Sequence, residues 1–417
     1  MIILIISALI PALLLLVVFR FANKRRKPAI FGVYQLQNKN YYFKFVLVYI
    51  FLRIRQLVSH LKRLLEIELG RSADGIVHVQ RQDAVLEQKY FLNDHALAVD
   101  AIYFNGMSKE GDAIICGVAR RPGNVCDAFL YLKIKGVELL LSPNLPDTYL
   151  KQKTIEEGEY SVEGIELKNF VPMRTWELKF NGEMKPRNET EKRADVQMTL
   201  TWSAQWAPFN YDKQISPRCL ASSMAREPWS RDYFNLLKRL HQTHYEQMGS
   251  IKGTVSINGN EHILDVPCVR DHTFGRFRDW RTFHRYVYHF IFLENGDCAA
   301  VGNVCQPAVL SNLTIGYYCR QSDQKVFPID SCDFQLYQHG EDQILPKDYG
   351  FVFEAGWELF AVRVKVDDEE TFYIGKDREA KFYERWSTVE VNGVKGWACV
   401  EWQYNNVQAK NVTKNVK

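Results

Sequence analysis

Residues 262–293 read HILDVPCVRDHTFGRFRDWRTFHRYVYHFIFL. HILDVPCV (262–269) has the length and content of a strand. RDHTFGRFRDW (270–280) then packs five charges, one His and three aromatics into eleven positions. Phe274, Phe277 and Trp280 fall three apart and Gly275 breaks the run, so a turn or bulge is expected there. RTFHRYVYHFIFL (281–293) returns to strand alternation. One face carries Thr282, His284, Tyr286, Tyr288, Phe290 and Phe292. The other carries Phe283, Arg285, Val287, His289 and Ile291. An aromatic face with a few polar tips suits the wall of a cavity for an apolar ligand. It equally suits two aromatic faces closed into a core.

Antiparallel strands extend in both directions from this stretch. Asn105-Gly106, Asn181-Gly182, Asn258-Gly259, Asn295-Gly296 and Asn392-Gly393 supply the strongest short hairpin signal, because a type I′ turn needs positive φ twice. Val196, Met198, Leu200 and Trp202 share one face of a strand, as do Val362, Val364 and Val366. One helix interrupts the pattern. SRDYFNLLKRLHQTHYEQMG (230–249) opens on a Ser N-cap, places Tyr233, Leu236, Leu237 and Leu240 at helical spacing, and ends at Gly249. The expected architecture is therefore mainly β. A first β domain spans 75–225, a linker helix 226–249 and a second β domain 250–408, followed by a polar tail at 409–417. Each β block is the size of one antiparallel barrel.

The 417 residues are 47% hydrophobic, 24% charged and 13% aromatic, with a net charge of +4. That balance gives no bulk case for a nucleic-acid partner. Residues 1–70 nevertheless hold eleven Lys or Arg against two Glu, leaving −5 for the rest. The excess adjoins the most apolar segment. Residues 1–19 carry no charge, enough to span a bilayer. No basic n-region or A-x-A site marks a cleaved signal, so 1–22 is expected to be an uncleaved anchor. Lys24-Arg25-Arg26-Lys27 would then leave the bulk of the chain in the cytosol, with a thin membrane such as the endoplasmic reticulum fitting the short span. Within the basic linker 23–74, residues 41–67 read as an amphipathic interfacial helix, with Lys44, Arg53, Arg55, Lys62 and Arg63 at the headgroups. The alternative is a helix packed on the soluble body. Nine cysteines without CxxC spacing read as free thiols.

The stretch RDHTFGRFRDW resembles the RDHSWG-x-RDW signature of the tandem lipocalin-like family related to carotenoid hydratases. It is most similar to an animal branch, some of whose members are fused to phosphoenolpyruvate-synthase-like modules. YFNGMSKEGDAIICGVARRP (103–122), HQTHYEQMG (241–249) and NGVKGWACVEWQY (392–404) support the resemblance, which runs from about 75 to 405. Thr273-Phe274 replaces the usual Ser-Trp, which removes any argument needing an indole at 274. The resemblance implies two lipocalin-like barrels and a kinship with hydratases and cyclase-like enzymes of apolar substrates. It also implies a Trp–Arg pair closing one end of a barrel.

Asp271 and His272 are the acid–base candidates. A buried Asp beside a cavity can be raised enough to protonate an alkene or carbonyl, with His272 orienting it. Asp271 could instead brace its own turn. Arg270 and Arg278 could hold a polar head, alongside Trp280, His284, Tyr286 and Tyr288. Glu401 shares a face with Trp397, Cys399 and Gln403 and would be costly inside a barrel unless paired. His241, His244 and Glu246 superficially suggest a metal site, with the two His at i and i+3 on the expected helix, but Glu246 is two residues from His244 and no third ligand at good spacing is evident, so no metal is expected. No cofactor motif is present. The expected function is a membrane-anchored binding protein for a hydrophobic small molecule or lipid. The alternative is a cofactor-free hydratase, isomerase or cyclase with Asp271 as general acid.

Overall fold

The computed structural model describes residues 27–68, 84–92, 95–151, 160–189 and 191–407. The anchor expected within 1–22 and the tail at 409–417 lie outside them. Among the described residues no helix is long and apolar enough to cross a membrane.

The fold is mainly β. The first sheet begins with β1 (Val99–Met107), β2 (Ala113–Arg121), β3 (Val125–Lys133), β4 (Leu140–Leu141), β5 (Tyr149–Lys151) and β6 (Tyr160–Val162). It continues with β7 (Ile165–Val171), β8 (Thr175–Pro186), β9 (Ala194–Ala204), β10 (Phe209–Asn210), β11 (Thr243–Ile257) and β12 (Asn260–Gly275). Its antiparallel pairings return on themselves in the order β1-β2-β3-β4-β8-β9-β11-β12. A second set closes into an eight-stranded barrel. Its strands are β13 (Arg285–Leu293), β14 (Cys298–Gln306), β15 (Leu310–Arg320), β16 (Lys325–Cys332), β17 (Asp348–Ala355), β18 (Glu358–Ile374), β19 (Ala380–Val391) and β20 (Val394–Asn405). The helices are α1 (Tyr41–Glu68), α2 (Tyr211–Gln214), α3 (Pro217–Arg226) and α4 (Arg231–Arg239).

Two boundaries differ from expectation. The helix starts at Ser230, whose side chain accepts from the Tyr233 amide, but it ends at Arg239. From Thr243 the chain is a strand, because Thr243 and Tyr245 favour the pleat and a full-length partner, β12, is available. Residues 243–275 accordingly belong to the first sheet, with β12 paired to β1 along eight positions. The second barrel begins at Arg285 rather than near 250. Among the Asn-Gly pairs, Asn258-Gly259 and Asn392-Gly393 turn their hairpins with both φ positive, and Gly296 turns the β13–β14 link. Asn105-Gly106 and Asn181-Gly182 run through strands. At Gly106 a Cβ would meet the Pro267 carbonyl oxygen at 2.7 Å, so this glycine serves close strand approach instead of a turn.

Side chains fill both interiors. Inside the first barrel lie Leu264, Val266 and Cys268 of β12 with Phe104, Trp176 and Trp202. Arg270 continues that inward face and is fully buried. It pairs with Glu87 at 2.8 Å and stacks on Trp202 at 5.1 Å and Trp176 at 5.6 Å. Glu87 also accepts from Trp176 Nε1 and Tyr245 OH. His272, next on the same face, bridges Asp100 and Tyr245 at 2.8 Å each. In the second barrel Arg285 stacks on Trp402 and Tyr404. The aromatic face of β13 points away from that barrel's interior, which holds Val287, His289 and Ile291. Tyr288, Phe290 and Phe292 instead pack against Met248 and Val269 of the first barrel. The aromatic face thus joins the two barrels and lines neither lumen. All nine cysteines are free and eight are buried.

The Arg270–Glu87 pair should behave as a buried ion pair. Arg270→Met alone leaves Glu87 without its cation and should cost about 3–5 kcal/mol, whereas adding Glu87→Gln should recover most of the loss. Urea denaturation of the single and double variants reads this; equal losses would show that the pair does not close the barrel end.

Candidate active site between the barrels

The outer faces of the two barrels leave a cleft of about 3480 Å³. It exceeds the ~300–1,000 Å³ of an ordinary ligand pocket because it opens into a groove bounded by α1, α3 and α4. Strand parity decides what faces it. His244 and Glu246, two apart on β11, stand opposite Thr273 and Asp271 on β12. Across the cleft, β13 presents Tyr286 and Tyr288, and β20 presents Glu401. The segment between β12 and β13 contributes Arg278, Trp280 and Phe283, and α2 contributes Tyr211.

The first-barrel wall carries a paired cation. His244 Nε2 meets Glu246 Oε1 at 2.9 Å, and Nδ1 meets Thr273 Oγ1 at 2.7 Å and Asp271 Oδ1 at 3.4 Å. The Thr273 hydroxyl donates to Asp271 at 2.8 Å. Burial opposes a charge on His244, but the Asp271 and Glu246 carboxylates outweigh it and raise the imidazole to about 10. Asp271 is also penalised by burial, yet His244 and Thr273 hold it below the usual carboxylate range. Burial raises Glu246, with His244 offsetting part of the rise. Tyr211 OH donates to Glu246 and also hydrogen-bonds the Tyr288 hydroxyl.

The second-barrel wall holds protons. Glu401 accepts from Tyr286 OH at 2.5 Å. Burial raises it to about 7 despite that bond, and the Asp271 and Glu246 charges across the cleft add to the rise. Its cross-strand neighbour Glu384 is fully buried and raised further, first by burial and then by Glu401. Two adjacent carboxyls in such a place cannot both ionise. Tyr103 OH donates to Glu384 at 2.9 Å. At the rim, Arg278 lies over Trp280 at 5.4 Å and donates through Nε to Gln242 at 2.6 Å. Burial and the nearby Arg121 guanidinium lower it to about 10, so it remains a cation.

The cleft therefore gathers six of the expected residues: Asp271, Arg278, Trp280, Tyr286, Tyr288 and Glu401. It excludes three. Arg270 and His272 alternate with Asp271 along β12 and point into the first barrel, so His272 does not orient Asp271. His284 precedes β13 and bonds Glu341 at 2.5 Å, beside Tyr34 and Arg285. Asp271 is not a turn brace, since it lies within β12. The expectation from sequence weighed His244 and Glu246 only as metal ligands on a helix and set them aside, and it passed over Tyr211 and Glu384. The i, i+2 spacing of His244 and Glu246 was the available signal, and a helical reading of 230–249 separates them by about 200°. His244, Glu246 and Asp271 bring potential metal-ligand atoms within 4.8 Å of one another. Both His244 ring nitrogens already serve in the ion-pair network, so a metal would have to displace it.

The chain is similar in overall structure to several solved proteins. An AttH-type protein of Nitrosomonas europaea is 9% identical, with a TM-score of 0.51 over 73% of this chain and 92% of that one. Kievitone hydratase of Nectria haematococca is 11% identical, with a TM-score of 0.46 over 76% and 93%. CghA solved with Sch210972 is 10% identical, with a TM-score of 0.45 over 75% and 90%. The likeness to the AttH-type protein shows a shared fold and nothing further. No curated protein matches the chain in sequence. A family model does match residues 5–404, nearly the whole length, and the chain belongs to the family of unknown function DUF8627.

Proposed function

We propose that the protein is a cofactor-free acid–base enzyme, a hydratase, isomerase or cyclase of an apolar substrate held between the barrels. One observation carries this reading: the two walls of the cleft present carboxyl groups in opposite protonation states. Glu401 is an acid with a pKa near neutrality, the range in which general acids work best. Asp271 is a carboxylate, stabilised by the His244 cation. Such divergent neighbours are how acid and base roles are commonly assigned. Phe283, Phe290, Phe372 and Phe382 line the space between them and suit a hydrocarbon.

The roles follow from charge. Glu401 donates a proton to an alkene carbon or carbonyl oxygen, and Tyr286 steadies the carboxylate that results. Asp271 accepts a proton from water, in a hydration, or from a substrate C–H, in an isomerisation or cyclisation. The imidazolium of His244 and the Arg278 guanidinium favour negative charge developing nearby. Asp271 thereby becomes the base instead of the general acid expected from sequence. The competing function is a binding protein for the same apolar class, with the ionisable groups serving only to join the barrels.

Incubation in D2O with a panel of isoprenoids and polyunsaturated fatty acids separates the two. The enzyme reading expects deuterium at a substrate carbon, or added water, by mass spectrometry. Glu401→Gln and Asp271→Asn should each lower that rate by about 10²–10⁴-fold while ligand retention persists. Retention of an apolar compound with no exchange at any carbon would favour the binder.

The pH dependence has a defined sign. Activity should fall as pH rises through about 7, where Glu401 loses its proton. It should persist on the acid side to below the ordinary carboxylate range, because Asp271 is lowered. Stability should follow the same group. A carboxyl raised on folding stabilises most below its unfolded pKa, and that contribution is lost as pH rises through the folded value. Melting temperatures of wild type and Glu401→Gln from pH 4 to 9 check this: the wild type should decline as pH rises from the ordinary carboxylate range to about 7 and the loss due to this group should then level off, and the variant should decline less.

A further inference from the structure

Helix α1 is apolar on two opposite sides: one packs on the body, and the other is half-exposed with part of its length bordering the cleft. Tyr41 and Val48 are buried against the body. Tyr41 OH bonds Ser222 Oγ of α3 at 2.8 Å, and Lys44 donates to the Glu227 carbonyl. On the far side Phe43, Leu47, Ile50, Ile54, Leu57 and Leu61 follow spacings of four, three, four, three and four, one continuous stripe. Each is 48–57% exposed. A contiguous apolar face of this kind marks a surface that is covered in use.

We propose that α1 lies on an anionic phospholipid bilayer, its stripe at the acyl boundary and its cations among the headgroups. Charge selects this occupant over a protein partner. Arg53 and Arg55 are exposed beside the stripe. The chain before α1 adds Lys24, Arg25, Arg26 and Lys27, and residues 1–70 carry eleven cations against two anions. Each cation near an anionic leaflet contributes about 1 kcal/mol. Ahead of them stands the uncharged run of residues 1–19, which would hold the helix near the lipid.

The placement has a consequence for the cleft. Leu47, Ile50 and Ile54 belong both to the stripe and to the mouth of the cleft. The cleft then opens at the bilayer surface, and a water-insoluble compound passes from the acyl region to the space between the barrels without crossing water. This inference is independent of whether Glu401 transfers a proton.

A fluorescence measurement on the full chain tests it. Ile54→Cys is labelled with NBD, with Ile344→Cys on an exposed second-barrel loop as control and the unsubstituted chain as the blank for Cys332. Both chains are reconstituted into 70:30 phosphatidylcholine:phosphatidylserine vesicles containing brominated acyl chains. The label at position 54 should emit to the blue and be quenched several-fold more than the label at 344. Adding Arg53→Glu and Arg55→Glu should relieve that quenching, and Glu401→Gln should leave it unchanged. Water-like emission at position 54 overturns the proposal. A blue shift without bromine quenching also overturns it, since a protein segment would then cover the stripe. Matching thermal melts of labelled and unlabelled chains confirm that the substituted chains are folded.

Discussion

The two-residue period of β12 governs most of what this molecule can do. A strand places successive side chains on opposite faces. From Val269 onward β12 is walled by protein on both of them, the first barrel's interior on one side and the second barrel on the other. Leu264, Val266, Cys268, Arg270 and His272 face in, while Val269, Asp271 and Thr273 face out. A one-residue slip would exchange the Arg270–Glu87 ion pair with the Asp271–His244 pair and strand four charged or polar groups in the wrong surroundings. The fifteen cross-strand partners shared with β11 and the eight with β1 hold that register. The positively twisted Asn258-Gly259 turn sets it from one end.

Among the described residues, indole and phenyl rings pack inside both barrels around a buried arginine, and the large cleft lies between their outer faces. This is why the chemistry collects between them. Charged groups in the cleft remain ionised only where a partner is close. His244 has two carboxylates, and so stays a cation. Glu401 and Glu384 have each other, and so keep a proton. A fully closed interface would favour hydrophobic replacements of all these groups. Their collection around a solvent-reachable cleft, with Asp271 still 21% exposed by its side chain, is better explained by use than by packing.

Much of the fold is legible in sequence. The alternation of Val196, Met198, Leu200 and Trp202 reappears as the inward face of β9, and the helix over 41–67 as α1. The parity of Tyr286 and Tyr288 is equally plain. What alternation does not reveal is which face is the inside. In a lone barrel the more aromatic face would be the core. In β13 the outer face is the more aromatic, because a second barrel covers it. The same ambiguity hides the site. Asp271 and His272 are adjacent in sequence and read as partners, whereas a strand separates adjacent residues. His244 and Glu246 lie only a few residues beyond a genuine helix. The apolar spacing of Tyr233, Leu236, Leu237 and Leu240 ends at Leu240, yet Gly249 invites extension to a later stop. Strand pairing with β12, a contact twenty or more residues away, overrides that local pattern.

The two barrels resemble each other in how they close and differ in what they offer the cleft. Arg270 on Trp202 and Arg285 on Trp402 repeat one device, a cation stacked on a buried indole. Their outer faces have diverged in charge. The first barrel presents an imidazolium and a carboxylate, and the second presents tyrosines and carboxylic acids. A chemistry that moves a proton from one side of a substrate to the other needs that asymmetry and needs the substrate to lie between rigid walls. Joining two filled barrels supplies both. Each half can be stabilised by its own core, and the carboxyl groups that face the cleft are positioned by strands. The cleft is formed only where the halves dock, so the Tyr103–Glu384 bond and the Thr148–Tyr373 contact fix its two walls relative to each other.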